Sequence, residues 1–318
     1  MTSSPEPVVA RNLDGLPMIG PAVITLGVFD GAHLGHRAAL ATTAETAAAE
    51  GLASVAVVLD PHPREVLQPG SAIPRLAPLD INIARLERLA LVDAVVPLRF
   101  DAAISRLPAV GFLEALAPAI DVRGVAMAPG SAFGRNRDGT ADRLTAAGHQ
   151  VVAVPALAVD DEPVSSTRIR AALARGDVAT AIRLGAEPYL RGRVVRGDRR
   201  GRELGFPTAN LAFDYAPAMP AIGIYLGAVS VPERGVGPRH PALVSVGVRP
   251  TFHDDGRVLV EVYLLDFDGD LYDATLAVSL EARLREERRF DSVEALVEQM
   301  RADETEARLV LAGREVSA

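Results

Sequence analysis

The chain contains no cysteine and no tryptophan, and only 4% of its 318 residues are aromatic. The absence of cysteine excludes disulfides, thiolate nucleophiles and cysteine-ligated zinc. No segment reaches the run of about 18 apolar residues that a membrane-spanning helix needs. Residues 1–20 also lack the basic start and apolar stretch of a signal peptide. We therefore expect a cytoplasmic protein without a membrane partner.

Basic residues are outnumbered by acidic ones. There are 33 lysines and arginines against 41 aspartates and glutamates, which gives a formal net charge of −8. This balance does not suit the binding of a phosphate backbone, so nucleic acid is not an expected partner. Small nucleotides are still compatible ligands, because a pocket needs only a few local charges. The length favours two domains of roughly 150 residues, each able to bury a core.

In the first half, short apolar runs alternate with helical segments. This rhythm predicts a parallel sheet covered by helices, with a ligand at the carboxyl ends of the strands. A helical segment over Thr167–Gly185 closes this half, and we divide the chain into domains at 15–186 and 187–318. The predicted strands are Val23–Leu26, Val55–Leu59, Ala94–Pro97, Val122–Met127 and Val151–Val154, and the predicted helices lie near Arg37–Glu50, Asn82–Leu91, Val110–Leu116 and Thr140–His149.

After Pro188 the apolar runs are separated by turns rich in glycine, proline and aspartate. This pattern predicts an antiparallel barrel or sandwich. An amphipathic helix over Ser292–Ala312 follows, with Asp291 and Glu294 as expected capping partners. The predicted strands are Tyr189–Arg196, Gly223–Val231, Ala242–Val246, Val258–Leu265 and Thr275–Leu284.

The most informative segment is Gly27-Val28-Phe29-Asp30-Gly31-Ala32-His33-Leu34-Gly35-His36. It follows a predicted strand and precedes a predicted helix, so both histidines are expected on one face of the first helical turn. A helix N-terminus favours anionic ligands, and imidazoles there can donate hydrogen bonds to oxygens that gain charge. The alternative is a tight turn whose histidines only cap the helix or face solvent.

This ten-residue string resembles the signature G-x-F-D-G-x-H-x-G-H of the HxGH nucleotidyltransferases, in particular their flavin adenylyltransferase branch. Two further segments resemble motifs of that branch. Pro61-His62-Pro63 is similar to its P-H-P loop, and Ser165-Ser166-Thr167-Arg168-Ile169-Arg170 is similar to its S-S-T-x-I-R motif. Taken without the resemblance, the first segment could be a rigid loop with an exposed histidine and the second a plain helix cap.

The resemblance implies that the FMN phosphate attacks the α-phosphorus of ATP and releases pyrophosphate, with Mg²⁺ shielding the polyphosphate. It assigns charge stabilisation to His33, His36 and Arg170, and the flavin pocket to His62 and Pro63. The implied ATP and phosphate contacts are Gly27, Phe29, Asp30, Gly31, Ser166 and Thr167.

One segment departs from the family pattern. Members usually carry G-x-D-F-x-F-G after the fourth strand, whereas this chain has Ala128-Pro129-Gly130-Ser131-Ala132-Phe133-Gly134. Only Phe133 and Gly134 are retained. The missing acid and aromatic residue leave open a second interpretation, in which this domain is weakened or inactive as an adenylyltransferase.

The second half holds a glycine-rich run with glycines at 192, 197, 201 and 205, which ends in Thr208-Ala209-Asn210. Such glycines let a backbone approach phosphates closely. Thr208 and Asn210 are two apart in an extended segment, so their oxygens lie on one side and suit Mg²⁺. A hairpin with glycine turns is the alternative. Glu261 lies in an apolar strand, where a carboxylate needs either a salt-bridge partner or a pocket.

The run resembles the riboflavin kinase signature G-x-V-x-x-G-x-x-x-G-R-x-L-G-F-P-T-A-N. The resemblance implies ATP contacts at Gly192, Gly197 and Gly201, and Mg²⁺ held by Thr208 and Asn210. It also implies that Glu261 takes the proton from the riboflavin 5′-hydroxyl, and it places Arg308 near the flavin. Further kinase-like segments follow in order at 220–225, 247–252, 260–262 and 268–272.

Together the motifs cover residues 21–312 and resemble the bifunctional riboflavin kinase/FMN adenylyltransferase family, the bacterial FAD synthetase type. The resemblance implies an α/β Rossmann-like nucleotidyltransferase domain, then an antiparallel β-barrel kinase domain with a C-terminal helix. Riboflavin, FMN, FAD and ATP are the implied ligands. A non-enzymatic flavin sensor is a third interpretation, and it predicts loss of Thr208, Asn210 or Glu261. All three are present.

Overall fold

The computed structural model describes residues 13–197, 204–248 and 258–315. By their internal contacts these residues form two compact units. The first holds the described residues up to Ile73 together with Pro78–Ser166, and the second holds Pro74–Ala77 and the described residues from Thr167 onward. No helix within these ranges is both long and apolar enough to cross a membrane.

The first unit is built on a parallel sheet of five strands in the order β3-β2-β1-β4-β5. The order reverses between β1 and β4, and ligands of such sheets bind outside the carboxyl ends at that point. The predicted α/β class is confirmed. The strands are β1 (Gly20–Gly27), β2 (Ala53–Asp60), β3 (Ala94–Arg99), β4 (Ile120–Met127) and β5 (Gln150–Ala153), and the helices are α1 (Leu34–Glu50), α2 (Pro63–Leu67), α3 (Leu79–Leu89), α4 (Ala109–Leu116) and α5 (Ala141–Ala146).

Both faces of this sheet are covered, which explains its nearly continuous apolar strands. In β2, Val55, Val57 and Leu59 pack into one core cluster, whereas Ala56 and Val58 pack into another on the opposite face. Helical side chains complete the two clusters. The alternation fixes the strand register, because a shift by one residue would exchange the two faces.

The segment predicted to be helical, Thr167–Gly185, contains two helices. A short hairpin of β6 (Ala158–Val159) and β7 (Glu162–Pro163) precedes α6 (Ser166–Ala174) and α7 (Val178–Arg183). The break falls at Gly176, whose φ is +77°, and Asp177 caps α7 by accepting from the Thr180 N–H at 2.9 Å. Since the units divide after Ser166, the domain boundary at 186 stays a prediction.

The second unit is a closed antiparallel barrel with strand order β10-β11-β12-β9-β8-β13. The barrel that the family resemblance implies is confirmed. The strand pattern alone left barrel and sandwich open, and it missed the short β9, which pairs with both β12 and β8 and closes the ring. Tyr225, Val244, Val262 and Leu276 are among the buried core. The strands are β8 (Tyr189–Val195), β9 (Ala209–Ala212), β10 (Gly223–Val231), β11 (Val236–Val248), β12 (Val258–Leu264) and β13 (Thr275–Arg285).

The last helix, α8 (Val293–Glu315), confirms the predicted C-terminal helix. Its cap is Ser292, whose hydroxyl accepts from the Ala295 N–H at 3.2 Å, so the capping role expected of Asp291 is wrong. Arg285 ties the helix to β13 through two hydrogen bonds to Asp303, at 2.6 and 2.7 Å. This ion pair is nearly buried, with side-chain exposures of 12% and 4%.

The loop after β4 is anchored on the start of α4. The Phe133 ring meets the edge of the Phe112 ring at a centroid distance of 5.9 Å. Gly134 has a φ of +76°, and a Cβ there would lie 2.5 Å from the Ala109 nitrogen. The two residues that match the family pattern therefore have a packing role, whereas the altered residues 128–131 are exposed at the carboxyl end of β4.

We predict that Asp303→Ala lowers the free energy of unfolding by about 3 kcal/mol, because it leaves the largely buried Arg285 guanidinium without its counter-ion. The matched control is Asp273→Ala, which breaks an exposed pair with Arg193 and should cost under about 1 kcal/mol. Urea denaturation followed by circular dichroism measures both. Equal effects of the two substitutions would contradict the assignment of the Asp303 pair as structural.

We predict that Gly134→Ala destabilises the protein by about 3 kcal/mol, because the new methyl group overlaps backbone and the positive φ is strained. Gly148→Ala is the control, since Gly148 has a φ of +88° but no neighbour within 4 Å. That variant should lose only about 1 kcal/mol, from strain alone. Thermal unfolding compares them, and equal midpoints would show that Gly134 has no packing role.

Candidate active sites

The first site is the turn that joins β1 to α1. Phe29 and Ala32 adopt left-handed backbone conformations, with φ of +53° and +45°, although neither is glycine. The Ala32 N–H donates to the Phe29 carbonyl at 3.1 Å, and the Ser166 hydroxyl donates to the Asp30 carbonyl at 3.0 Å. The start of α6 therefore helps to hold this strained turn, and the structure brings the predicted Ser166 to it.

Asp30 lies inside the turn and is almost fully buried. The Asn82 side chain, from α3, donates to the Asp30 carboxylate at 3.3 Å and accepts from the Gly31 N–H at 2.9 Å. Sequence reasoning missed Asn82, since nothing marks a contact across 51 residues. The Gly31 N–H thus donates to the Asn82 side chain, and the phosphate contacts of Asp30 and Gly31 stay predictions.

The two histidines meet as the spacing predicted. Their rings stack at a centroid distance of 3.6 Å with an interplanar angle of 17°. His33 is also the N-cap of α1, because its Nδ1 accepts from the His36 N–H at 3.3 Å. In the neutral ring the proton therefore resides on Nε2, which is left as a donor. The capping role and a catalytic role are compatible.

The glycines of the turn make room for this pair. A Cβ at Gly35 would lie 3.2 Å from the His33 ring, and one at Gly27 would lie 3.3 Å from the Phe29 ring. Phe29 in turn packs against His36 at a centroid distance of 5.1 Å. Gly27 and Phe29 thus shape the turn, and their contact with a nucleotide stays a prediction.

The P-H-P loop lies at the carboxyl end of β2, beside β1. His62 caps α2, accepting from the Arg64 N–H at 3.1 Å through Nδ1, and Pro63 is the first helical residue. Because parallel strands end at one edge of a sheet, this loop, the histidine turn and the loop after β4 share that edge. The predicted Thr167 and Arg170 belong to the second unit, where the Arg170 Nε donates to the Pro74 carbonyl at 2.6 Å.

The second site is a cavity of about 640 Å³ in the barrel unit. Glu261 on β12 lies directly opposite Asn210 on β9, and the Thr208 hydroxyl donates to the Glu261 carboxylate at 3.1 Å. The structure thus brings together all three polar residues that the sequence singled out here. The volume lies within the range of roughly 300–1,000 Å³ that is usual for small-molecule pockets.

The glycines predicted for this site allow close packing. A side chain at Gly197 would overlap the Asn210 amide, and a Cβ at Gly192 would lie 2.9 Å from the Ala212 carbonyl oxygen. Gly197 lines the cavity, and Gly201 lies outside the described residues. Aromatic side chains complete the wall, with the rings of Phe206 and Tyr263 meeting edge to face at 5.3 Å.

Arg308, predicted near the flavin, is not among the residues that line this cavity. Its guanidinium makes two hydrogen bonds of 2.8 Å to the Asp266 carboxylate and two, of 2.7 and 3.2 Å, to Glu304. The Arg308 guanidinium holds the pKa of Asp266 below its usual value. The ion pairs explain the position of Arg308 on α8, and the structure does not bring it to the cavity.

The cavity also contains a residue that the sequence missed. Glu287 follows β13 and lines the same cavity as Glu261. Although the residue is exposed as a whole, partial burial of its carboxyl group in the cavity raises the pKa of Glu287, the Arg285 guanidinium lowers it, and the Glu261 carboxylate raises it further. The charge on Glu261 is thus close enough to act on Glu287. No sequence motif marked this residue.

The donor set of the cavity fits a hard cation. Thr208, Asn210 and Glu261 offer hydroxyl, amide and carboxylate oxygens, which are the ligands that Mg²⁺ accepts. Among the described residues there is no group of three or more histidine, cysteine, aspartate or glutamate side chains that could hold a metal. Two protein ligands suffice when Mg²⁺ arrives with a nucleotide, since it keeps water and phosphate ligands.

Two family models match the two halves of the chain. The FAD synthetase family model matches residues 18–168, and the riboflavin kinase family model matches residues 184–311. The chain is 39% identical to the bifunctional riboflavin kinase/FMN adenylyltransferase of Pseudomonas fluorescens, over 91% of this chain and 93% of the relative. It is 35% identical to the protein of the same description from Escherichia coli K12, over 94% and 95%.

A solved structure described as a macrolide-efflux protein from Streptococcus pneumoniae shares the fold. It superimposes with a TM-score of 0.84 at 30% sequence identity, over 95% of this chain and 98% of that chain. The two family matches lie along the chain in the same order as the two sites. The chain belongs to the bifunctional riboflavin kinase/FMN adenylyltransferase family.

Proposed function

We propose that the barrel unit phosphorylates riboflavin to FMN with ATP, and that the first unit adenylylates FMN to FAD. The observation that carries the kinase reaction is the Thr208–Glu261 hydrogen bond inside the cavity. The observation that carries the second reaction is the stacked pair of His33 and His36 at the start of α1. Family membership supports both.

In the kinase reaction, Glu261 accepts the proton of the riboflavin 5′-hydroxyl as that oxygen bonds to the γ-phosphorus of ATP. The bond between the γ-phosphorus and its bridging oxygen breaks, and ADP leaves. The Thr208 hydroxyl orients the carboxylate by donating to one of its oxygens, which leaves the other free to accept. Thr208 and Asn210 would hold Mg²⁺, which neutralises phosphate charge when bound.

In the adenylyl transfer, a phosphate oxygen of FMN bonds to the α-phosphorus of ATP, and the bond to the β-phosphate breaks to release pyrophosphate. No general base is required, because the attacking phosphate is already ionised. The Nδ1 of His33 accepts from the His36 N–H, so its Nε2 can donate, and His36 lies stacked against it. We assign both imidazoles to oxygens that gain charge in the transition state.

A second candidate function is a riboflavin kinase whose first unit adenylylates FMN weakly. The specific observation is the exposed loop at 128–131, which lacks the acid and the aromatic residue of the family pattern. The loop follows β4, and the histidine turn follows β1. Because β1 and β4 are paired in parallel, the loop and the turn leave the sheet side by side. The two candidates differ only in the rate of FMN conversion.

We predict that Glu261→Gln lowers FMN formation from riboflavin by about 100-fold or more, because the amide cannot accept the proton. Conversion of added FMN to FAD should be unchanged. Glu281→Gln is the control, since Glu281 is a barrel carboxylate that pairs with Arg239 and does not line the cavity. Chromatography of the flavins measures both reactions, and full kinase activity in Glu261→Gln would remove the assigned base.

We predict the opposite result for His36→Ala, which should lower conversion of FMN to FAD by about 100-fold while FMN formation continues. His149→Ala is the matched histidine control, because His149 immediately precedes β5 and so lies at the amino ends of the parallel strands, away from the histidine turn. The same flavin chromatography applies. Loss of both activities in a variant that keeps the parent's circular dichroism spectrum would contradict two independent sites.

A further inference from the structure

A second carboxylate faces the kinase cavity, and the proposed reaction does not use it. Glu287 is exposed in the segment that follows β13. Its Oε1 lies 2.7 Å from where a Cβ of Gly247 would be, so the carboxylate rests on bare backbone of β11. Any larger residue at Gly247 would displace it.

The position of Glu287 relative to Glu261 follows from strand register. Ser245 and Gly247 both line the cavity from β11, and Glu261 is paired directly with Ser245. Two residues along a strand span about 7 Å. Glu287 packs at Gly247, two residues along β11 from the residue that is paired with Glu261. Its carboxylate therefore lies about 7 Å along the strand from the residue assigned as the base.

The Arg285 guanidinium, which lowers the pKa of Glu287, does not contact its carboxylate directly. The Arg285 guanidinium donates twice to Asp303, at 2.6 and 2.7 Å, and once to the Glu286 carbonyl, at 2.8 Å. In the described part of the chain, no group donates a hydrogen bond to the Glu287 carboxylate. A carboxylate that faces a cavity in this way is available to accept from a ligand.

We propose that Glu287 binds the ribityl hydroxyls of riboflavin and so holds the terminal 5′-hydroxyl at Glu261. This inference rests on the proposed kinase function. An ionised carboxylate only accepts hydrogen bonds, and it repels the phosphates of ATP. The donors of riboflavin nearest to the 5′ end are the other hydroxyls of the same ribityl chain. The ring N–H of riboflavin lies on the far edge of the flavin. It is therefore too far from the 5′-hydroxyl to reach a carboxylate only about 7 Å from Glu261.

The test compares Glu287→Ala with Glu286→Ala in the full-length protein. Glu286 is the adjacent carboxylate, and its side chain is 82% exposed. We expect Glu287→Ala to raise the KM for riboflavin about tenfold or more, the usual loss for a hydrogen bond to a charged group. The KM for ATP should not change. Glu287→Gln, whose amide oxygen still accepts, should recover part of the loss.

Lumiflavin separates a ribityl contact from a ring contact, since it has the flavin ring and a methyl group in place of the ribityl chain. Its inhibition constant should be the same in the parent and in Glu287→Ala. Equal weakening of lumiflavin and riboflavin would overturn the proposal, and so would an unchanged riboflavin KM. A higher Mg²⁺ requirement with an unchanged riboflavin KM would likewise overturn it, by assigning Glu287 to the metal.

The outcome for Glu287 is separable from the outcome for the proposed function. If the parent phosphorylates riboflavin and Glu287→Ala matches it, only the role of Glu287 fails. If the parent does not phosphorylate riboflavin, the kinase proposal fails. Riboflavin binding, followed by quenching of flavin fluorescence, then still tests the contact, with an equal Kd in the parent and in Glu287→Ala overturning it.

Discussion

Glu261 is a half-buried carboxylate on the face of β12 opposite the barrel core, and the second unit depends on how its need for a hydrogen-bond donor is met. The Thr208 hydroxyl donates to Glu261 at 3.1 Å. That contact requires the segment before β9 to reach β12, and β9 closes the barrel by pairing with both β12 and β8. The strand that completes the fold therefore also carries Asn210 to the cavity. The same strand therefore closes the barrel and completes the site.

The first unit follows the same constraint. Asp30 is buried, and Asn82 satisfies it while also accepting from the Gly31 amide. This three-way contact stabilises a turn that contains two non-glycine residues at positive φ. The turn then sets the start of α1, where His33 caps the helix and stacks on His36. In both units, the hydrogen bonds of a buried or enclosed acidic side chain hold the backbone segment that carries the proposed catalytic residues.

The sequence predicted the elements well and the long-range contacts poorly. Both faces of the parallel sheet are covered, so its strands are continuous apolar runs that the sequence pattern identifies. In the barrel, the bounds of the strand Gly223–Val231 were predicted to the residue. The short strand β9 was not predicted, because four residues are too few to show a clear alternation of apolar and polar side chains. Asn82 and Glu287 escaped because each acts through a partner distant in the chain. Arg308 is placed near the flavin by resemblance, which stays a prediction. The sequence did not reveal its ion pairs with two acidic residues, one on the same helix and one 42 residues away.

The central claim is that one chain carries two consecutive flavin reactions at two separate sites. Its most direct test is a time course of the unmodified protein with riboflavin, ATP and Mg²⁺, with FMN and FAD separated by chromatography. The account predicts that FMN appears first and that FAD follows from it. Accumulation of FMN without any FAD would contradict the bifunctional assignment, and the absence of both products would contradict the enzymatic account of the whole chain.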